Sequence, residues 1–199
     1  MTKITAWLSI GSTYTYLTAL RLRDVCAEHG ITPDIKPISI RQIMKSMDNI
    51  PFPPSKQTKV AYMWRDIERR AAFYGLPVPQ TPAPYPLEEF DRANLVGIVM
   101  NNQGRYLDYF EATYRCWFLD GLAAGSDDNL AKVFDHLGMP LDAVLEAAAA
   151  DDVQAAYAQT TAEAQDKGIF GAPSFSVGDE IFWGDDRLED AIRYAKNPA

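Results

Sequence analysis

The chain has 199 residues, 47% of them hydrophobic and 23% charged, with a formal net charge of −8. That length suffices for one globular domain with a sizeable core, with or without an inserted subdomain, and the acidic balance argues against a nucleic-acid partner, which demands clustered Lys and Arg. No stretch approaches the roughly 18 apolar residues of a membrane span, and Met1-Thr2-Lys3-Ile4-Thr5-Ala6 leads into a strand-like pattern without a signal-peptide core, so the expected location is cytoplasmic.

Residues 3–10, rich in Ile, Trp and Leu, predict a buried first strand. Ser12 is placed to cap a following helix over roughly 14–29, with Leu17, Leu20, Val25 and Cys26 among its apolar positions and Gly30 as its stop. Thr32–Ile38 predicts a second strand whose prolines suit irregular ends or a place near a sheet edge. The three make a β-α-β unit with parallel strands.

From about 39 to 165 the signal is helical. Val60, Met63, Trp64, Ile67, Ala71 and Tyr74 recur at helical spacing before Gly75, and Leu107, Phe110, Tyr114, Trp117 and Phe118 repeat the pattern. Further helices start at Asp127 and Pro140, and another covers Asp151–Lys167. Between the first two helices, the proline-rich run Pro77–Pro86 excludes regular structure and predicts an extended surface path. Strand signals then return in Ser174–Val177 and Glu180–Trp183 around a Gly178-Asp179 turn, and a last helix begins near Asp186.

The chemistry-bearing residues are few. Cys26 and Cys116 lie 90 positions apart in helical segments, a spacing that suits neither a CxxC pair nor a zinc site, so both read as buried structural thiols. His29 and His136 each lie close before a glycine, where a helix C-terminus favours a cation, and no metal site is expected. Phe170-Gly171-Ala172-Pro173, directly before the predicted hairpin, resembles the cis-proline corner of the thioredoxin fold, whose turn presents the N–H and C=O of the residue before proline, here Ala172, to an extended thiol peptide. Where a redox thioredoxin would carry its reactive cysteines, the first strand ends instead in Gly11-Ser12-Thr13-Tyr14-Thr15-Tyr16. A hydroxyl and a helix N-terminus together favour a bound thiolate over the thiol. No sequence-local base accompanies Ser12, so it need not itself be a nucleophile; its hydroxyl can donate to another molecule's sulfur.

Four segments, in order, extend the resemblance over nearly the whole chain: Leu8–Leu17; Asn49-Ile50-Pro51-Phe52-Pro53-Pro54 with Lys59–Met63 and Asp66; Gly168–Pro173; and Phe182-Trp183-Gly184-Asp185-Asp186-Arg187-Leu188. They resemble the kappa-class glutathione transferases and the related 2-hydroxychromene-2-carboxylate isomerases, within the DsbA-like thioredoxin superfamily. The resemblance implies an α/β, thioredoxin-like β-α-β / β-β-α core (1–38 and 166–199) interrupted by a large all-helical insertion (39–165). It implies glutathione as cofactor, a small aromatic-derived substrate and a homodimer. Ser12 would stabilise the thiolate; Thr13 and Tyr14 would adjoin it; Asn49 and Lys59 would reach the glycyl end or the nearby backbone of the tripeptide; Ala172 and Pro173 would pair with the cysteinyl backbone. Asp185 and Asp186 would hold the γ-glutamyl ammonium, Asp186 foremost, with a solvated turn residue as the alternative for Asp185. Three positions depart from the family pattern: Thr13 stands in place of proline, Thr15 in place of serine, and Asp185 where Asn, Gln or Ser is more usual.

The function so implied is glutathione-dependent isomerisation, in which thiolate addition turns a double bond into a rotatable single bond and elimination returns glutathione. The alternatives are a kappa-like transferase or peroxidase that consumes glutathione, and a glutathione-binding protein without turnover. A dithiol oxidoreductase is disfavoured by the missing CxxC.

Overall fold

The computed structural model describes residues 3–49, 52–53 and 55–197. Strand β1 (Ile4–Leu8), helix α1 (Thr15–Glu28) and strand β2 (Asp34–Pro37) form the first unit. Seven helices follow: α2 (Ile40–Ser46), α3 (Gln57–Phe73), α4 (Phe90–Asn102), α5 (Tyr106–Leu119), α6 (Asp127–Leu137), α7 (Leu141–Ala148) and α8 (Asp151–Asp166). The chain then closes with β3 (Ser174–Val177), β4 (Glu180–Trp183), a 3-10 turn (Asp185–Arg187) and α9 (Leu188–Lys196). Ile50, Pro51 and Pro54 of the Asn49–Pro54 motif lie outside the described residues.

The four strands form one sheet in the order β2-β1-β3-β4. β1 and β2 are parallel, with Thr5 opposite Asp34, whereas β3 is antiparallel to both β1 and β4. β2 is therefore an edge strand, where Pro37 costs little pairing. Alternation along the strands splits the core in two. Ile4, Ala6, Leu8, Phe175 and Val177 face the main core shared with α1 and α9, while Trp7 joins Ile38, Ile40, Ile43, Ala164, Ile169 and Ala172 under α2 and α8. Trp7 keeps its indole N–H satisfied by donating to Ser176 Oγ at 2.9 Å.

The intervening helices pack on the sheet itself. Thr160 of α8 donates to the Pro37 carbonyl at 2.8 Å, Thr161 accepts from the Ser39 N–H at 2.9 Å, and Asn101 of α4 donates to the Ile35 carbonyl at 3.2 Å. The proline-rich run is irregular as expected, but it is stapled down: Tyr16 donates to Pro77 O at 2.6 Å and Trp117 to Pro84 O at 2.7 Å. Among the described residues three X-Pro bonds are cis: Thr81-Pro82, Tyr85-Pro86 and Ala172-Pro173. Among the described residues no helix is long and apolar enough to cross a membrane.

Helices α2 and α4 have no counterpart in the sequence reading. α2 has seven residues, too few for a periodic signal. α4 buries Phe90, Ala93, Asn94, Val96, Gly97, Ile98, Val99 and Met100, nearly all round its axis, so it carries no polar face to betray the helical period.

Candidate active site

The site forms where the end of β1 meets the turn into β3. Ser12 follows Gly11, which takes a φ of 121°, and its Oγ donates to the carbonyl of Ala172 at 2.6 Å. Ala172-Pro173 is the cis bond the sequence pointed to, so hydroxyl and cis-proline corner are in direct contact. This corrects two expectations. Ser12 does not cap α1, which starts three residues later with Tyr14 at the cap position and no side-chain cap; the Ser12 hydroxyl proton goes to Ala172 instead. The Ala172 carbonyl, in turn, is taken rather than free; its N–H has no hydrogen-bond partner among the described residues.

Buried polar side chains fix this loop. Asn94 of α4 accepts from the Ile10 N–H and donates to the Ile10 carbonyl, both at 2.8 Å, and also donates to Phe90 O at 2.8 Å. Tyr114 of α5 donates to the Ser12 carbonyl at 2.9 Å. A site loop held by rigid helices keeps its donor within the narrow tolerance that catalysis demands. Neither residue announced this role: Tyr114 read as one more apolar position of its helix, and Asn94 lay in a helix with no visible period.

Helix α3 makes the next wall. Met63, Asp66 and Arg70 recur at i, i+3 and i+7 and so share one face. Met63 Sδ accepts from Thr13 Oγ1 at 2.9 Å, Asp66 from Tyr14 OH at 3.0 Å, and Arg70 donates to Asp185 at 3.1 Å. Thr13 is buried, so its side chain docks a helix and offers nothing to a ligand, contrary to expectation. Burial and the neighbouring Asp66 carboxylate push the Tyr14 phenol well above its ordinary range, which keeps it a neutral donor. Lys59, one turn before Met63 on the same face, is exposed with its ammonium 4.9 Å from the Phe52 ring. Asn49 is exposed just after α2, its N–H donating to Met44 O at 2.9 Å. Among the described residues neither Lys59 nor Asn49 makes a hydrogen bond or ion pair that joins it to Ser12.

The two aspartates part company. Asp185 is 3% exposed, and its Oδ2 lies 3.1 Å from Arg70 and 3.8 Å from Arg21. Burial pushes its carboxyl up while the Arg70 guanidinium pulls it down. An ammonium has no open approach to that carboxylate, so the expectation that Asp185 binds a ligand is corrected. Asp186 is exposed and, among the described residues, pairs only with the exposed Arg187, at 2.9 Å. On the other flank, Phe170 and Trp183 stack edge to face at 4.9 Å while staying 42% and 55% exposed. The Trp183 indole lies across Gly171, where a Cβ would collide with its Nε1 and sit 2.8 Å from Cδ1. Two surface concavities of about 250 and 290 Å³ lie elsewhere, the first beside His136 and Arg115, the second beside Arg92 and Leu145. No cluster of metal-ligating side chains occurs among the described residues, and Cys26 and Cys116 are buried free thiols.

The DSBA-like thioredoxin domain model matches residues 3–194. The chain belongs to the DsbA-like thioredoxin family. This DsbA-like chain is 29% identical over 182 residues to a 2-hydroxychromene-2-carboxylate isomerase of Sphingobium xenophagum, covering 89% of the chain and 90% of that protein. It is 25% identical to the enzyme of the same name from Pseudomonas putida, over 89% and 86% of the two chains. A solved 2-hydroxychromene-2-carboxylate isomerase structure superposes with a TM-score of 0.81 at 23% identity, over 94% of this chain and 91% of that one. The cytosolic disulfide reductase DsbM of Pseudomonas aeruginosa, solved with GSH, shares the fold at a TM-score of 0.58 and 12% identity, over 98% and 93%.

Proposed function

We propose that the protein is a glutathione-dependent isomerase of the 2-hydroxychromene-2-carboxylate isomerase type. The observation that carries the reading is the 2.6 Å contact between Ser12 Oγ and the carbonyl before cis-Pro173, in a chain with no cysteine at that place. The two relatives matched by sequence over 89% of the chain bear the 2-hydroxychromene-2-carboxylate isomerase name, which supports the reading.

The residues present fit glutathione. The Ala172 N–H is unspent, the Asp186 carboxylate is exposed for an ammonium, and α1 has no acidic side chain in its first turn to oppose a nearby anion. When bound, glutathione supplies a thiolate that adds reversibly to an unsaturated carbon and leaves after rotation about the resulting single bond. Ala172 would accept the tripeptide backbone; its carbonyl, once paired there, releases the Ser12 hydroxyl to donate to sulfur. Ser12 then holds the sulfur in its anionic form, and Tyr114 and Asn94 keep Ser12 from drifting. Phe170 and Trp183 offer an apolar shelf beside the corner for a flat aromatic ring. We extend the reading to a cytoplasmic homodimer, which light scattering and cell fractionation test.

The deciding experiment is calorimetric titration of glutathione with parallel thiolate absorbance, on the wild type and on Ser12→Ala. The expected result is binding in both, with a thiolate band only in the wild type and turnover of a chromene carboxylate reduced about 100-fold by the substitution. No binding at millimolar glutathione overturns the reading. A product that retains the glutathionyl group would assign the same site to a transferase.

A further inference from the structure

We propose that Asp185 is a positioning residue and not a ligand: clamped between Arg21 of α1 and Arg70 of α3, it fixes the Gly184–Arg187 turn so that Asp186 alone receives the ammonium of a γ-glutamyl thiol. This rests on the glutathione reading above. The sequence places two adjacent carboxylates at one turn, and only the tertiary structure separates their roles.

Asp185 is held at both its side chain and its main chain. Arg70 Nη2 reaches Oδ2 at 3.1 Å, while Arg21 Nη1 lies 3.8 Å from the same oxygen and donates to the Asp185 carbonyl at 3.3 Å. Arg21 is itself buried, its guanidinium 3.7 Å from the Tyr74 ring centroid and its second nitrogen paired with Glu189. Arg70 also donates to Tyr74 OH at 2.6 Å. Two guanidiniums therefore face two carboxylates, and the cluster is balanced. A third cation entering it would find no unspent negative charge, and removing one member would leave a buried charge uncompensated.

Asp186 is aimed differently. Gly184 has a φ of 119°, and a Cβ there would sit 2.6 Å from Asp186 Oδ1, so the carboxylate folds back over the glycine. The Gly184 N–H donates to the Pro173 carbonyl at 2.9 Å. Asp186 thus lies over the segment bonded to the cis-proline corner, and Ser12 touches that corner at Ala172. Through Arg70, the helix that docks Thr13 and Tyr14 at the thiol end also sets the turn at the ammonium end.

The test uses two ligands, glutathione and its deamino analogue with a glutaryl group in place of γ-glutamyl, titrated calorimetrically into the wild type and variants. Asp186→Asn and Arg70→Gln should each weaken glutathione roughly tenfold, the loss of one charge-assisted contact, and leave the analogue within about twofold. The double variant should bind glutathione no more weakly than either single one, because Arg70 acts through Asp186. Equal losses for both ligands in Arg70→Gln overturn the positioning role in favour of general loosening. Unchanged glutathione affinity in Asp186→Asn, with loss in Asp185→Asn, overturns the division of roles. Absence of glutathione binding in the wild type overturns instead the reading beneath it. Arg70→Gln carries the test because Arg70 is 27% exposed, whereas Asp185→Asn strips a buried pair.

Discussion

The hydroxyl of Thr13 donates to the sulfur of Met63 at 2.9 Å, joining the segment before α1 to the middle of α3. Threonine, where the family resemblance predicts proline, thus acquires a definite physical use. Proline has no hydroxyl and no N–H, so the contact exists only in a chain that departs from the pattern. It is the first of three side-chain links along one face of α3, the others being Tyr14 to Asp66 and Asp185 to Arg70.

Thr13→Val keeps shape and removes the donor. The expected cost is about 1 kcal/mol of stability, read as a fall of about 3 °C in Tm, with glutathione affinity unchanged because the side chain faces α3. A tenfold loss of affinity at unchanged Tm would place the hydroxyl at the ligand instead.

Asn94→Ala removes three hydrogen bonds that hold Ile10 and Phe90. Buried main-chain groups left unpaired make this a loss of about 3 kcal/mol, or about 10 °C in Tm. Asn94→Asp retains the acceptor for the Ile10 N–H but sets a carboxylate oxygen against two carbonyls, so it should not rescue. Thermal unfolding of the two variants checks both statements.

Gly171→Ala puts a methyl group where the Trp183 indole now lies. The ring must swing outward, at a cost of about 1–3 kcal/mol. Because Trp7, Trp64 and Trp117 are buried, the exposed Trp183 is the tryptophan whose emission should shift to the red. In a Trp183→Phe background the same substitution should cost less, since the colliding nitrogen is gone; an equal cost in both backgrounds would show the strain to lie elsewhere.

Alkaline unfolding should be steep. Burial pushes the thiols of Cys26 and Cys116 up to about 11, above their ordinary range. The folded state holds these protons after the unfolded chain has released them, so stability is full below about pH 8.5 and falls as pH rises toward 11. Cys26→Ala/Cys116→Ala should be less stable at pH 7 yet flatter between pH 9 and 11, measured by urea denaturation across that window.

Much of this protein was legible as sequence. Alternation and turn chemistry placed β3 and β4 at Ser174–Val177 and Glu180–Trp183, as found. Amphipathic spacing placed α3 and α5, because these signals are local, while the cis bond at Pro173 is the one that the resemblance to the thioredoxin corner implies. Residue identity likewise fixed that a hydroxyl, not a thiol, stands at the end of β1.

What only the tertiary structure decided is direction and access. Helix α4 was invisible because burial on all sides erases the helical period, and with it went Asn94, the clamp on Ile10. Ser12 reads as a cap in the sequence, but α1 starts beyond its reach and its hydroxyl donates to a carbonyl 160 positions away. Asp185 and Asp186 are identical in chemistry and adjacent in the chain, yet two arginines from distant helices bury one and leave the other open. Long-range contacts set burial, and burial decides whether a charged side chain is spent on the fold or kept for a ligand.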